Sequence, residues 1–183
     1  MSAALVLAAA LAAAPTGETV HFGSFGTVHL YRQSPHPSRV ALFVSGDGGW
    51  NQGVVSMAQS LAEDDALVAG VDIRPYLKGL DASKGACSFP AGDFEALGQF
   101  LEKKLEFPAY VNPVLVGYSS GATLVYAVLT QAPPNTFKGA LRLGFCPDLP
   151  VAKGFCKGHG LVSEKLPKGG RLFQAQPRLE PPW

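Results

Sequence analysis

The chain has 183 residues, 47% of them hydrophobic and 16% charged, with a formal net charge of +1. That length can bury one sizeable core, and the composition excludes a disordered chain. The near-zero charge, spread without a basic cluster, argues against a nucleic-acid surface and against an electrostatic membrane anchor.

Met1 to Ala14, MSAALVLAAALAAA, is almost wholly apolar yet too short to span a bilayer. It reads as the apolar region of a secretory signal, with Ala-x-Ala cleavage options at Ala12 to Ala14, although no Lys or Arg precedes it. Residues 18–183 are then expected to form a single exported domain without a transmembrane segment. FGTVHLYR (Phe25 to Arg32) alternates as a half-exposed antiparallel edge strand does. RVALFVSG (Arg39 to Gly46) is a continuous apolar run, the mark of a buried strand. Val54, Val55, Ala58, Leu61 and Ala62 recur at helical spacing within Asn51 to Asp64. ALVAGVDI (Ala66 to Ile73) is a second buried strand, and Asp72 at its end could line a site but reads more readily as a cap for the following turn. Asp93 to Phe107 has the period of a helix, NPVLVGY that of a third buried strand, and Ser120 to Ala132 that of a helix stopped by Pro133-Pro134. GALRLGF (Gly139 to Phe145) is a fourth strand; beyond Pro147 the chain is rich in Pro, Gly and Lys and shows no clear element. Strands and helices in this order predict an α/β fold with a mostly parallel sheet, right-handed crossovers and an antiparallel N-terminal edge.

Gly117-Tyr118-Ser119-Ser120-Gly121 is a Gly-x-Ser-x-Gly motif. In a chain with 21 glycines the bare pattern is cheap; its context is not. A buried strand precedes it and a helix follows, the setting of a nucleophile elbow that lifts a serine hydroxyl above the sheet edge. The helix N-terminus behind Ser119 favours developing negative charge. A second glycine-rich stretch, SGDGGWN (Ser45 to Asn51), ends an earlier strand. Such hydrolases aim two backbone N–H groups at the oxyanion, one from the residue after the nucleophile and one from a loop of this kind. Ser120 and Asp47 are the corresponding candidates. Trp50, Tyr76 and Phe89 are aromatic candidates for pocket walls or for the core.

The cysteines are Cys87, Cys146 and Cys156. Cys146 and Cys156 bracket a Pro- and Gly-containing loop and are expected to pair, which leaves Cys87 without a partner. Closing so short a loop contributes about 3 kcal/mol in the chain-entropy account. No Cys/His spacing fits a zinc site, and no cofactor or metal is expected.

Taken together, LFVSGDGGW, VDIRPYL, LVGYSSGATLVY and LGFCPDLP resemble the bacterial virulence protein family typified by VirJ and the C-terminal domain of AcvB. The resemblance runs from about Arg39 to the end. It implies a periplasmic, three-layer α/β-hydrolase-like domain with Ser119 as nucleophile. It also implies links to type IV secretion proteins and to hydrolysis of an aminoacylated phospholipid ester. In such a fold the acid and the histidine follow the serine in the chain. Here Asp148, Glu164, Glu180 and His159 are the only acids and imidazole after Ser119. Asp148 and His159 form the candidate pair, though both would have to fold back over Ser119. The pattern also stops at PPW where a further strand should begin. The expectation is therefore a C-terminally truncated member whose last strands, acid and histidine lie downstream. The competing expectation is a non-catalytic binding or secretion-accessory module on the same fold.

Overall fold

The computed structural model describes residues 17–175. The expected signal segment, Met1 to Ala14, lies outside the described residues. The main sheet has six strands in the order β1-β2-β4-β3-β5-β6. β1 (Glu18–Phe22) and β2 (Gly26–Tyr31) are joined by a short 3₁₀ turn and pair antiparallel, Val20 opposite Val28. β2 runs antiparallel to β4 (Ala66–Val71), with Val28 opposite Val71. β3 (Arg39–Val44) pairs parallel with β4 and with β5 (Val114–Tyr118), and β5 pairs parallel with β6 (Gly139–Leu143).

This is the parallel sheet with an antiparallel N-terminal side that the strand patterns predict, with one shift. The edge position belongs to β1, and β2 lies one strand further in. β1 is five residues of mostly exposed side chains, so its apolar signal is weak. The helix α1 (Gln52–Ala62) falls where its period places it, with Val54, Ala58 and Ala62 buried. α3 (Pro90–Lys104) begins three residues before the periodic stretch, with Pro90 in its first turn, where a missing N–H does no harm. α4 (Ser120–Gln131) is buried almost all round. α2 (Ile73–Ala82) had no helical reading in the sequence. Asp72 caps it, accepting from the Arg74 N–H.

Two apolar cores sandwich the sheet. On the α2–α3–α4 side, the Phe25 ring lies parallel to Tyr76 at 4.4 Å and edge-on to Phe94 at 4.9 Å. The Tyr76 hydroxyl donates to Asp93 at 2.9 Å, so a buried polar tip keeps a partner. Burial pushes the Asp93 carboxyl above its ordinary value despite the hydrogen bonds it accepts. On the α1 side, Phe43, Val68 and Val116 pack with Val54 and Ala58. The Trp50 ring lies over Gly70 between His29 and Phe43, and its indole N–H donates to the Tyr31 hydroxyl at 3.1 Å.

The segment beyond Pro147 is not structureless. β7 (Asp148–Leu149), β8 (Leu161–Lys165) and β9 (Arg171–Ala175) form a separate antiparallel sheet in the order β7-β9-β8, packed on α4. Leu149, Val151, Phe155 and Phe173 enter the main core from it. Its strands are short, and their apolar residues are spaced among Pro, Gly and Lys, so no periodicity announces them. The disulfide also differs from expectation. Cys87 bonds Cys156, and Cys146 is free and exposed. A single parallel bridge sets this pairing. Ser88 N–H donates to Gly154 O at 2.9 Å and Cys156 N–H to Ser88 O at 2.7 Å, which aligns Cys87 with Cys156. Proximity in sequence pointed to Cys146, but tertiary pairing with the α2–α3 connection decides the bond. No helix of the described residues is long and apolar enough to cross a membrane.

Candidate active site

β5 ends at Tyr118 and α4 begins at Ser120, so one residue makes the whole turn. Ser119 carries it with φ 54° and ψ −122°, a backbone state that non-glycine residues rarely adopt. The turn is held from both sides. The Ser119 N–H donates to Leu143 O at the end of β6 at 2.7 Å, and Ser119 O accepts from the Ala122 N–H at 2.8 Å. Close packing demands glycine at 46, 117 and 121. A Cβ on Gly121 would stand 2.4 Å from Val44 O and 2.5 Å from Ser45 O, and one on Gly46 would stand 2.9 Å from Ser119 Cβ. The elbow and the SGDGGW loop are therefore in direct contact, at the carboxyl ends of β3 and β5.

That loop is braced by residues of the next crossover. Buried Ser45 accepts the Ile73 N–H at 3.1 Å on its Oγ. Asp72 accepts the Trp50 N–H at 3.2 Å, the Arg74 N–H at 2.9 Å and the Arg74 guanidinium at 2.7 Å. Burial pushes the Asp72 carboxyl up, but these hydrogen bonds and the Arg74 charge outweigh it and hold it below its ordinary value. Asp72 is thus a cap and also a brace. The sequence offered a site-lining role or a cap and favoured the cap; the brace escaped it because the Trp50 contact is made across the sheet edge.

Ser119 is half-buried and Ser120 buried. Both line a cavity of about 630 Å³ with Asp47, Asp81, Cys146 and Asp148, the segment Leu149–Pro150–Val151–Ala152, and the turn Lys168–Gly169–Gly170. Ser120 is the first residue of α4, so its N–H has no carbonyl within the helix. Asp47 is exposed at the rim. The structure thus gathers Ser119, Ser120, Asp47 and Asp148 around one space.

It does not bring His159 there. His159 is exposed in the connection between Cys156 and β8 and does not line the cavity. No hydrogen bond joins Asp148 to His159, or Ser119 Oγ to a histidine, among the described residues. His21 and His36 are exposed, and His29 stacks on Trp50 at 5.5 Å with burial lowering its pKa. Of the aromatic candidates, Tyr76 is core, Trp50 covers the sheet and Phe89 is exposed; none lines the cavity. Asp81 and Lys168, which do line it, escaped sequence reading. Neither stands in a motif, and only the packing of the small sheet brings them to Ser119. Among the described residues no group of His, Cys, Asp and Glu is arranged to hold a metal ion.

The fold has solved counterparts. Poly(aspartic acid) hydrolase-1 from Sphingomonas sp. KT-1 is 14% identical, with a TM-score of 0.53 over 69% of this chain and 55% of that one. The esterase domain of a Rhodothermus marinus protein is 22% identical, with a TM-score of 0.50 over 87% of this chain and 65% of that one. An open-form lipase is 18% identical, with a TM-score of 0.50 over 75% and 46%. The likeness is one of fold, the α/β-hydrolase fold, and the chain spans about half the length of these structures. No curated protein matches the chain. The profile of the bacterial virulence protein (VirJ) family matches residues 38–144, more than half of the chain, and that stretch contains both the braced SGDGGW loop and the Ser119 elbow. The chain therefore belongs to the bacterial virulence protein (VirJ) family.

Proposed function

We propose that the protein is an exported serine hydrolase that cleaves an ester. The observation that carries this reading is the strained backbone of Ser119, which sets its hydroxyl beside the SGDGGW loop at the mouth of a cavity. Strain of this kind costs about 1–3 kcal/mol and persists where function needs it. In the proposed step Ser119 Oγ attacks the ester carbonyl carbon while a histidine takes its proton. The oxyanion accepts from the Asp47 and Ser120 N–H groups. The C–O bond breaks, the alcohol leaves with the proton, and water releases the acyl group from Ser119 by the reverse sequence.

This reading requires an imidazole and an acid at Ser119 that the described residues do not place there. Among the described residues β6 is a half-exposed edge strand with Leu141 exposed, so its outer side can pair with a further strand. An oxidising compartment, the periplasm, is supported by the Cys87–Cys156 disulfide. Asp47 and Asp148 line the cavity and outnumber Lys168, which favours a substrate with a cationic group and suits an aminoacylated phospholipid. Docking to a type IV secretion apparatus remains part of the same reading, carried by the family alone.

The second reading, a non-catalytic binding module, is favoured by the lack of an imidazole bonded to Ser119 among the described residues. Hydrolysis of p-nitrophenyl acetate by the full-length protein separates the two. Turnover that Ser119→Ala reduces by about a thousandfold or more supports the enzyme. A folded full-length protein with the same rate as Ser119→Ala supports the module. Release of the amino acid from aminoacylated phosphatidylglycerol vesicles, against the acetyl ester, tests the lipid substrate.

A further inference from the structure

Asp81 sits in the last turn of α2, where a carboxylate opposes the helix dipole and where the helix has no basic residue to offset it. Its placement therefore does not serve the helix. Its carboxylate reaches across to the strap between β7 and β8. Asp81 Oδ1 accepts the Ala152 N–H at 3.0 Å and the Lys153 N–H at 2.9 Å, and Oδ2 accepts the Ala152 N–H at 3.2 Å. These contacts lie 71 and 72 residues apart in the chain. Lys153 returns the contact, its ammonium donating to Ser83 O and, at 2.8 Å, to Ser83 Oγ.

The strap that Asp81 holds is a wall of the site. Pro150, Val151 and Ala152 line the Ser119 cavity, and Asp81 lines it beside them. Pro150, Asp81 and Asp47 also line a neighbouring cavity of about 360 Å³ over α2, so the strap at Pro150 lies between the two spaces. Val151 is fully buried and anchors the strap on the core side, and the disulfide holds its far end at Cys156. Between these fixed points the backbone at residues 152–153 has Asp81 as its acceptor.

We propose that Asp81 is a positioning residue of this site: by gripping the Ala152 and Lys153 amides it fixes the strap that bounds the Ser119 cavity, and so sets which esters are held there. The inference rests on the reading of that cavity as the substrate site. Asp81 is exposed, so its replacement leaves the core intact. Because one oxygen serves both amides, Asp81→Asn keeps an acceptor in place, whereas Asp81→Ala removes it.

The test compares Asp81→Ala, Asp81→Asn and the unaltered full-length protein by three measurements. The first is hydrogen exchange at the Ala152 and Lys153 amides. The second is alkylation of Cys146, the free thiol lining the same cavity, by iodoacetamide against a bulky maleimide. The third is kcat and KM for p-nitrophenyl acetate and p-nitrophenyl octanoate. The expected result for Asp81→Ala is exchange about tenfold faster at those two amides, the effect of one or two lost charge-assisted hydrogen bonds. Labelling by the bulky maleimide should rise relative to iodoacetamide. KM for the octanoate should rise about tenfold with kcat unchanged, and the acetate should be unaffected. Asp81→Asn should behave as the unaltered protein in all three. Unchanged exchange at residues 152 and 153 overturns the proposal. So does faster exchange with an unchanged thiol-labelling ratio, which would mean that the strap is held but does not bound the cavity. If Asp81→Ala does not fold, Asp81→Ser, whose hydroxyl is too short to reach the strap, is read in its place. Absence of ester hydrolysis by the unaltered protein counts against the hydrolase reading, and exchange and labelling still decide the role of Asp81.

Discussion

Ser119 holds a backbone state that a side chain makes costly, and the cost separates two substitutions. Ser119→Ala keeps the Cβ and the strain; Ser119→Gly removes both. Ser119→Gly is expected to be more stable than Ser119→Ala by about 1 kcal/mol in urea denaturation, although both lack the hydroxyl. Equal stabilities would mean that the turn carries no strain. Asp72 offers a second residue-scale test, through pH. Its folded carboxyl titrates below the ordinary 3.8, so its stabilisation is present in full above that value and is lost as pH falls through the lowered folded value. Asn at position 72 keeps the helix cap but loses the charge pair with Arg74. The stability gap between the unaltered chain and Asp72→Asn should therefore be constant down to pH 3.8 and close below it, as read from urea midpoints across that range. At this scale the sequence was most legible where one short motif dictates one backbone event. Gly117 to Gly121 after a buried strand can hardly do anything but turn. The bracing of Asp47's loop by Ser45 and Asp72 was not legible, because it joins residues that only the sheet brings together.

Elements that bury one face announce themselves by period; those that do not are found only in the folded chain. β3, β4, β5, α1 and α4 lie where their apolar residues place them, because each packs against the sheet or within it. α2 had no helical reading in the sequence; Pro75 stands in its first turn, where proline is tolerated, and Ile73, Tyr76, Leu77 and Leu80 form its buried face. β8 and β9 were missed because their residues, Phe173 apart, are half-exposed or exposed and the two strands pair mainly with each other. The disulfide belongs to this scale, since it ties the α2–α3 connection to the strap beside the cavity across 69 residues. Gln131 reinforces the junction: its side-chain oxygen accepts from the Ala91 N–H at 3.0 Å and its amide donates to Cys156 O at 2.8 Å. Replacing Cys87 and Cys156 together by serine is expected to cost about 4 kcal/mol, the chain-entropy value for a loop of that length. Cys146→Ser should leave the unfolding midpoint unchanged under oxidising conditions. A destabilisation by Cys146→Ser matching that of the double variant would return the bond to the pairing that sequence proximity suggested.

At the scale of the whole molecule, a parallel sheet places the ends of β3 and β5 side by side, and both glycine-rich loops emerge there. The antiparallel subdomain then closes one side of the space above them. This architecture was legible from the order of strands and helices. The separation of Ser119 from every histidine of the described residues could be suspected from the sequence, since His159 alone follows the serine, but only the fold shows it exposed and away from the cavity. The central claim is that the Ser119 hydroxyl is the reactive nucleophile of this cavity. Its most direct test is to treat the folded full-length protein with a fluorophosphonate and map the adduct by peptide mass spectrometry. The account predicts one phosphonylated residue, Ser119, with labelling abolished in Ser119→Ala. An adduct on another residue, or none on a protein shown to be folded, would contradict it.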